Sequence, residues 1–536
     1  MEVASAWLRV FDEVDFSDFP DLLPGDGDRF RSNVRWRIGL ADALQNLRME
    51  LAAEACPVRE VSARLDEAAR SKGGEEMWNK AAQWEQLARL EERYLRLFSP
   101  ERPDPIAFQL EAVRNPWLPQ GVRTVVFAVC PNPLPAAMAA AKNLPDDVRI
   151  RILLSGPEDP EAFDAWGRPS PDFWKRRILP FPDSAFHKFL KPEDQARKIL
   201  ALQPERDELR PSAVGVLDPE ILDAVDAEQR LSGRNDFYLP RRIALRELPM
   251  TRMFLALADF LTESPSFDAA AALFRDPAVF AVLSDGGNDG DDGIPALLDE
   301  LQTSAVLESC AGLRREAVRR LKNPALRESD RAALLRLDAM LTKLDAWRAA
   351  RGKDGLLEAL VRVFSEIAAG IPASRYGKYD EEALSVFQTI VRDARALRDV
   401  PDDVRIQLIR RELDRTALPD RVTPGTKTDL CGFLELPWRT DVPLLIAGCN
   451  EEMFENGAQD DAFLPDRVRS LLGFRDRAFH FAVDVFQTDL LLRSRPPGGV
   501  VVLFGAVSSG GDPLKPARIL FQTRDEEVPA RAELLF

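Results

Sequence analysis

ATP hydrolysis by a motor protein requires a phosphate loop, GxxxxGK followed by Ser or Thr, whose glycine amides and lysine hold the phosphates. The sequence contains two Gly–Lys pairs, Gly352–Lys353 and Gly377–Lys378, and these are followed by Asp354 and Tyr379. In the segment PGTKTD, a threonine separates the glycine from the lysine at position 427. We therefore predict that the chain as printed holds no ATP site of the Walker type.

The chemistry of a PD-(D/E)XK nuclease requires an acid two residues before a lysine, because the two share a metal ion and position water. No lysine of the sequence has Asp or Glu at that position. The two histidines, His187 and His480, have no glycine-rich nucleophile elbow beside them. The five cysteines form no CxxC pair. We therefore expect no catalytic residue and no metal site, and scattered free thiols are typical of a cytoplasmic protein.

Binding of phosphates is the chemistry that the basic residues could perform. The net charge of −16 argues against a protein that coats DNA, but it allows a local basic surface. The candidates are the arginines that follow the segment FLPD and two basic residues further on: Arg467, Arg469, Arg475, Arg477, Lys515 and Arg518. The helical middle of the chain offers further basic runs, at 314–322 and 405–415. Solvated helix faces are the alternative interpretation of all these residues.

The elements that position these residues alternate in type along the chain. Apolar residues at three- and four-residue spacing predict helices at 36–51, 77–98 and through 246–415. β-Branched runs predict strands at 123–129, 149–156, 212–218, 442–448 and 499–507, with helices at 136–142 and 467–494. The acidic glycine-rich segment 284–295 lacks EF-hand spacing and is predicted to be a surface loop. An α/β core interrupted by a long helical block is typical of an inserted domain, and no run is long enough to predict a membrane span.

The most informative stretch is 431–520. A strand is followed by a turn containing Gly448, Asn450 and Glu451, then by FLPDRVRSLLG, an arginine-rich helix, another strand and DPLKPARIL. This order resembles the second motor lobe of AddB-type, RecB-like helicase–nuclease subunits. The residues that match the second segment are Phe463, Leu464, Pro465, Asp466, Arg469, Leu472 and Gly473, and those that match the last are Asp512, Pro513, Leu514, Pro516, Arg518 and Leu520.

The resemblance implies an α/β fold with two RecA-like parallel-sheet lobes of superfamily-one type and large helical insertions. It divides the chain into a helical insertion of the first lobe (1–118), the rest of that lobe (119–160), the start of the second lobe (161–245), its helical insertion (246–420) and its remainder (421–536). It also implies a DNA-binding role in double-strand break repair and recombination, beside an AddA-like partner subunit. Family members begin with a phosphate loop and end in a nuclease domain. This chain is expected to start after the phosphate loop and to stop before the nuclease domain. ATP and Mg²⁺ are therefore expected in the partner subunit or in a longer chain.

One departure bears on this expectation. Family members usually have glycine after the glutamate of the turn, whereas this sequence has Glu452, which adds charge and removes backbone freedom. Two alternatives therefore stay open at this point. One is an active ATPase whose phosphate loop lies outside the chain, and the other is a helical interaction scaffold that binds no nucleic acid.

Overall fold

A computed structural model describes residues 1–23, 30, 32–71, 81–201, 212–234, 236–239, 242–284, 293–370, 380–419, 428–439, 441–454 and 463–536. Some predicted features lie outside these residues: the Gly377–Lys378 pair, Lys427, the beginning of the helix at 77–98, and 285–292 of the predicted loop. In the described part of the chain, no helix has the length and apolar character that crossing a membrane would need. The chain forms two compact units. The helical unit comprises Met1–Asp12, Asp28–Gly39 and Arg242–Pro419, and the sheet unit comprises Glu13–Gly27, Leu40–Arg241 and Asp420–Phe536.

Ten strands are present in the described residues: β1 (Thr124–Ala128), β2 (Arg149–Leu153), β3 (Phe186–Phe189), β4 (Ser212–Val216), β5 (Phe237–Tyr238), β6 (Arg242–Ala244), β7 (Ala417–Pro419), β8 (Thr428–Cys431), β9 (Leu444–Ala447) and β10 (Val500–Gly505). In the sheet unit, six of them form a parallel sheet in the order β3-β10-β9-β4-β8-β5. β1 and β2 form a separate parallel pair. Long apolar runs such as that of β10 are typical of parallel strands, which are buried on both faces.

Successive residues of the central strands enter two different cores, as the two-residue period of a strand requires. Leu444 and Ile446 of β9 join a core that contains Trp174 and Phe486, whereas Leu445 joins one that contains Ile199, Ile221 and Val225. The second core is supplied by the helices that begin at Pro192 and Pro219, and the first by the helix Arg477–Arg493. The sheet unit is therefore a mixed α/β structure with helices packed on both faces of the sheet.

Three helices of the sheet unit begin at an aspartate that accepts from the free amides of the first turn. Asp104, Asp218 and Asp476 are N-cap residues whose carboxylates accept from backbone amides. The helices are Val58–Ser71, Ala81–Leu95, Pro105–Arg114, Pro135–Lys142, Pro171–Trp174, Pro192–Ala201, Pro219–Leu231, Asp466–Leu472, Arg477–Arg493 and Val528–Leu535, with Val34–Ala53 beginning in the helical unit and ending in the sheet unit.

The helical unit has its own apolar core, built around Phe254, Phe274, Leu337 and Leu360. β6 and β7 form a short antiparallel pair where the chain enters and leaves the unit's long segment. Its helices are Glu2–Glu13, Pro249–Phe260, Phe267–Arg275, Pro277–Leu283, Ile294–Ser304, Cys310–Leu321, Glu328–Asp354, Leu356–Ala369, Asp380–Ala396 and Asp402–Arg415.

The expectation of an α/β protein with a parallel sheet and many helices is confirmed, and strands lie in all five runs that predict one. Two features differ from the prediction. The helix predicted at 467–494 is two helices, because Gly473 has a left-handed φ of 71° and ends the first of them. The sheet also contains β3, β5 and β8, which no run predicted.

Candidate functional site

The carboxyl ends of β4, β9 and β10 lie side by side in the sheet, which is where parallel α/β sheets most often bind ligands. The predicted turn follows β9 directly. Five polar or glycine residues meet there, which we call the strand-end cluster: Gln195, Asp218, Gly448, Asn450 and Gly505. Gln195, Asp218 and Asn450 are all buried, at 1%, 5% and 1% exposure.

Asn450 joins the two segments on which the family resemblance depends. Its Nδ2 donates to the carbonyl oxygens of Gly505 at 2.9 Å and Lys515 at 3.1 Å, and its Oδ1 accepts from the amide of Gly505 at 3.0 Å. The neighbouring Glu451 amide also donates to the Lys515 carbonyl, at 2.9 Å. The turn after β9, the end of β10 and the segment DPLKPAR are therefore one hydrogen-bonded structure.

Gly448 occupies a position that only glycine fits. Its φ is +76°, and a Cβ there would lie 2.7 Å from Asp218 Cβ and 2.9 Å from Asp218 N. Its amide donates to Gln195 Oε1 at 3.0 Å. The turn thus packs directly on the N-cap of the helix Pro219–Leu231, whose Glu220 accepts from the amide of Ser509, in the loop after β10.

Glu451 and Arg518 form an ion pair beside the cluster. Glu451 Oε2 accepts from the backbone amide of Arg518 at 2.6 Å, and its Oε1 lies 3.1 Å from Arg518 Nε. The Arg518 guanidinium stacks over the ring of Phe481, 5.0 Å from its centroid. The carboxylate therefore holds this arginine in place, and its charge is already balanced.

Two acids near this contact have perturbed pKa values. Burial raises the pKa of Asp484 to about 7, with Arg518 opposing the shift and Glu451 adding to it. Burial also raises the pKa of Asp218, and the charges of Glu220 and Glu452 act in the same direction. Asp484 can consequently gain or lose a proton near neutral pH.

The arginines of the FLPD segment divide into two groups. Arg469 pairs with Glu50, and its Nε donates to the carbonyl of Leu464 at 2.9 Å. Arg475 pairs with Glu54 at 2.7 Å and donates to Asn132 at 3.2 Å. Both carboxylates belong to the N-terminal helical region of the sheet unit, so these two arginines join that region to the segment. Burial lowers the pKa of His480, and the charges of Arg475 and Arg469 act in the same direction.

The other group consists of Arg467, Arg477 and Lys515, which are exposed. Within the described residues, none of their side chains forms a hydrogen bond or an ion pair. The Arg477 amide donates to Asp466 Oδ1 at 2.7 Å, which ties together the starts of the two helices that carry Arg467 and Arg477. One helical turn separates Arg477 from Phe481, on which Arg518 stacks.

The structure therefore brings Gly448, Asn450 and Glu451 together with Lys515 and Arg518, whereas Arg467 and Arg477 lie at the starts of two helices tied together by Asp466. Sequence reasoning did not select Gln195, Asp218 or Asp484. The only signal for Asp218 is its place at the end of a strand-like run, and Asp484 shows none, since a lone acid in an apolar helix has many possible neighbours. In the part of the chain that the structure describes, no three His, Cys, Asp or Glu side chains are grouped to hold a metal ion.

No protein-family model matches the sequence. No curated protein matches it either.

Proposed function

We propose that the chain is a DNA-binding part of an AddB-type helicase–nuclease subunit and that it contacts nucleic acid through Arg467, Arg477 and Lys515. We call these three residues the basic edge. The observation that carries the proposal is that they are exposed cations without partners among the described side chains.

The surroundings of the basic edge support this assignment. Lys515, in the segment after β10, lies beside the turn at the carboxyl end of β9, because Asn450 Nδ2 donates to its carbonyl oxygen. Parallel sheets bind ligands at this end of their strands. Arg518 follows Lys515 by three residues and stacks on Phe481, which lies one helical turn after Arg477. A stacked arginine–aromatic pair is the kind of platform that accepts an unpaired base.

The finer fold assignment belongs to the same proposal. In it, the six-stranded sheet is the second RecA-like lobe of a superfamily-one motor, and Arg242–Pro419 is the helical insertion of that lobe. The parallel pair β1–β2 is then a remnant of the first lobe. The chain leaves the sheet unit after β5 and returns to it before β8, which supports this assignment. β5 and β8 are therefore neighbours in the sheet although the segment Arg242–Pro419 separates them in the sequence.

The proposal assigns ATP hydrolysis with Mg²⁺ to an AddA-like partner or to sequence outside this chain. The support is the sequence itself, because neither Gly352–Lys353 nor Gly377–Lys378 belongs to a phosphate loop. In this arrangement the chain holds DNA while a partner moves it, in the repair of double-strand breaks.

A binding measurement with the purified chain tests the proposal. Fluorescence anisotropy of labelled single-stranded and duplex oligonucleotides gives Kd across a series of salt concentrations. We expect log Kd to rise linearly with log salt, and we expect the triple variant R467A/R477A/K515A to reduce the slope by roughly 2 to 3, since each lost phosphate contact removes about 0.7 to 0.9.

The matched control removes exposed cations from the other unit. Arg327 and Arg398 are exposed, and neither has a side-chain partner among the described residues. R327A/R398A should bind as the unaltered chain does. Equal losses in the two variants would show non-specific attraction, and absence of binding by the unaltered chain at low salt would refute the proposal and favour a protein-interaction scaffold.

A further inference from the structure

A groove in the helical unit concentrates positive charge. It has a volume of about 580 Å³ and runs along the helix Cys310–Leu321, with side chains of Glu328–Asp354 as its other wall. This volume is within the range of ligand-binding clefts, about 300–1,000 Å³. Five basic residues and one acid are among its lining residues: Arg314, Arg315, Arg319, Lys322, Arg348 and Asp345. The protein as a whole carries a net charge of −16, so this groove has the opposite sign to the average surface.

Three of the five cations have their charge at least partly balanced by acids. Arg319 pairs with Glu316 at 2.6 Å. Arg314 and Arg348 share Asp345, at 2.6 Å and 3.4 Å. Arg314 also lies 3.7 Å from Asp338, so three carboxylates balance these three cations, and the excess positive charge of the groove comes from the two cations that remain.

The other two cations, Arg315 and Lys322, are exposed and form no ion pair or side-chain hydrogen bond with the residues that the structure describes. They lie seven residues apart, which places them on one face of the helix about 10 Å apart along its axis. Arg319 lies between them on the same face. In that length one strand of a B-form duplex presents about three phosphates.

The wall of the groove also contains a donor without an acceptor. Arg348 Nε is buried and has no hydrogen-bond partner among the described atoms, although the other two nitrogens of the same guanidinium donate to Asp345 and to the carbonyl of Glu263. A buried donor without an acceptor is unfavourable. Anionic oxygen atoms are the acceptors that guanidinium groups bind most strongly.

We propose that this groove binds consecutive phosphates of a nucleic acid backbone and is a DNA contact of the helical unit, separate from the basic edge. The inference rests on the proposed function for the identity of the ligand. Arg315 and Lys322 are its principal phosphate ligands, and Arg314, Arg319 and Arg348 add positive charge. Free oligophosphate offers the same chemistry, so the experiment has to distinguish the two.

The test uses the whole chain and two charge-reversal variants. R315E/K322E changes the groove, and R327E/R398E makes the same change of charge at exposed positions of the same unit outside it. Both are compared with the unaltered chain for Kd on a labelled duplex at several salt concentrations, and thermal unfolding verifies that each variant is folded. R315Q/K322Q supplies a milder change if the reversal prevents folding.

We expect R315E/K322E to weaken duplex binding by about tenfold or more at low salt and to lower the salt slope by about 2, since two phosphate contacts are lost. At the higher salt concentrations R327E/R398E should change Kd by less than about threefold, because neither residue lines the groove and exposed charges are then largely screened. Equal Kd values for the two variants would overturn the groove as a contact while leaving the proposed function standing. If the unaltered chain binds no duplex, the proposed function and this inference both fail.

Tripolyphosphate, titrated calorimetrically, gives the second arm. Competition of tripolyphosphate with duplex for the unaltered chain, lost in R315E/K322E, supports a phosphate-binding groove shared with DNA. Binding of tripolyphosphate that requires Arg315 and Lys322, with duplex affinity unchanged in the variant, would overturn the nucleic acid assignment in favour of a free oligophosphate.

Discussion

Asn450 and Gly505 exchange two hydrogen bonds, so that the side chain of the first pairs with the backbone of the second. Asn450 Nδ2 donates to the Gly505 carbonyl at 2.9 Å, and Asn450 Oδ1 accepts from the Gly505 amide at 3.0 Å. Gly505 is the last residue of β10, and Asn450 follows β9 by three residues. The asparagine therefore continues the sheet pairing beyond the point at which the backbones separate.

Replacing Asn450 should destabilise the sheet unit strongly. N450A removes the side-chain partners of the Gly505 amide and carbonyl and one of the two donors to the Lys515 carbonyl, and we expect a loss of roughly 2–4 kcal/mol in the free energy of unfolding. N450D keeps the shape but cannot donate, so it should be almost as harmful. Urea unfolding measures both changes.

Glu452 supplies the control for this prediction, since its side chain is exposed only two residues away. E452Q should change stability by less than about 0.5 kcal/mol. If N450A were as stable as E452Q, water would replace the asparagine without loss of stability. The hydrogen bonds of Asn450 between the turn after β9 and the segment DPLKPAR would then contribute nothing to the free energy of unfolding.

Substitution by alanine should cost different amounts of stability at two glycines that have almost the same backbone conformation. Gly448 has φ +76° and Gly473 has φ +71°, but a Cβ at Gly448 would meet Asp218 at 2.7 Å while one at Gly473 would meet nothing within 4 Å. G473A should cost about 1–2 kcal/mol, the penalty of a left-handed conformation alone. G448A should cost more, about 3 kcal/mol or above, because the N-cap of the next helix has to move.

Chemical denaturation of the two variants gives the comparison directly. Equal losses would show that the contact between Gly448 and Asp218 relaxes easily. A larger loss for G448A would show that the turn after β9 is fixed by packing and not by its backbone conformation alone.

The parts of the fold that the sequence predicts are those with strong local patterns. The runs that became β9 and β10 are continuous and apolar, and their residues are almost all buried. β3 was missed because FHKF is short, and its His187 and Lys188 are exposed at the edge of the sheet. Its position depends on pairing with β10, more than 300 residues later in the chain.

The candidate site shows the same division. The motif residues Gly448, Asn450 and Glu451 were selected by pattern, and the structure places them together. The roles of Arg469 and Arg475 could not be predicted, because their partners Glu50 and Glu54 lie more than 400 residues earlier. An arginine-rich segment has the same composition whether its residues form ion pairs or extend into solvent.

Arg475 and Arg477 should therefore differ in their effect on stability. Glu54 has only 5% of its side chain exposed, so R475A leaves a nearly buried carboxylate without its partner. We expect R475A to lower the free energy of unfolding by roughly 2–4 kcal/mol. R477A removes an exposed charge and should change it by less than about 0.5 kcal/mol.

The double variant R475A/E54A completes a thermodynamic cycle for this pair. Removal of both partners should restore part of the stability lost in R475A, because no buried charge is then left alone. If the two single losses simply add in the double variant, the ion pair does not couple the two regions, and the contact of Arg475 with Asn132 would have to explain the loss.

Asp484 should make the stability of the sheet unit depend on pH in the opposite direction to a typical surface carboxylate. Its folded pKa is raised from the ordinary 3.8 to about 7, so the folded protein retains a proton that the unfolded chain releases. The stability that this proton contributes is complete below the unfolded pKa and is lost as pH rises to the folded value. A shift of this size corresponds to at most about 4 kcal/mol.

D484N cannot ionise, and its stability relative to the unaltered chain should therefore increase from about pH 4 to about pH 7 and then stay level. D525N, which removes an exposed acid, shows the effect of losing one charge. Unfolding curves of D484N and of the unaltered chain, measured across this pH range, test the prediction. If the difference between their free energies of unfolding is constant with pH, Asp484 is ionised in the folded protein throughout the range, and the charge of Arg518 outweighs the effect of burial.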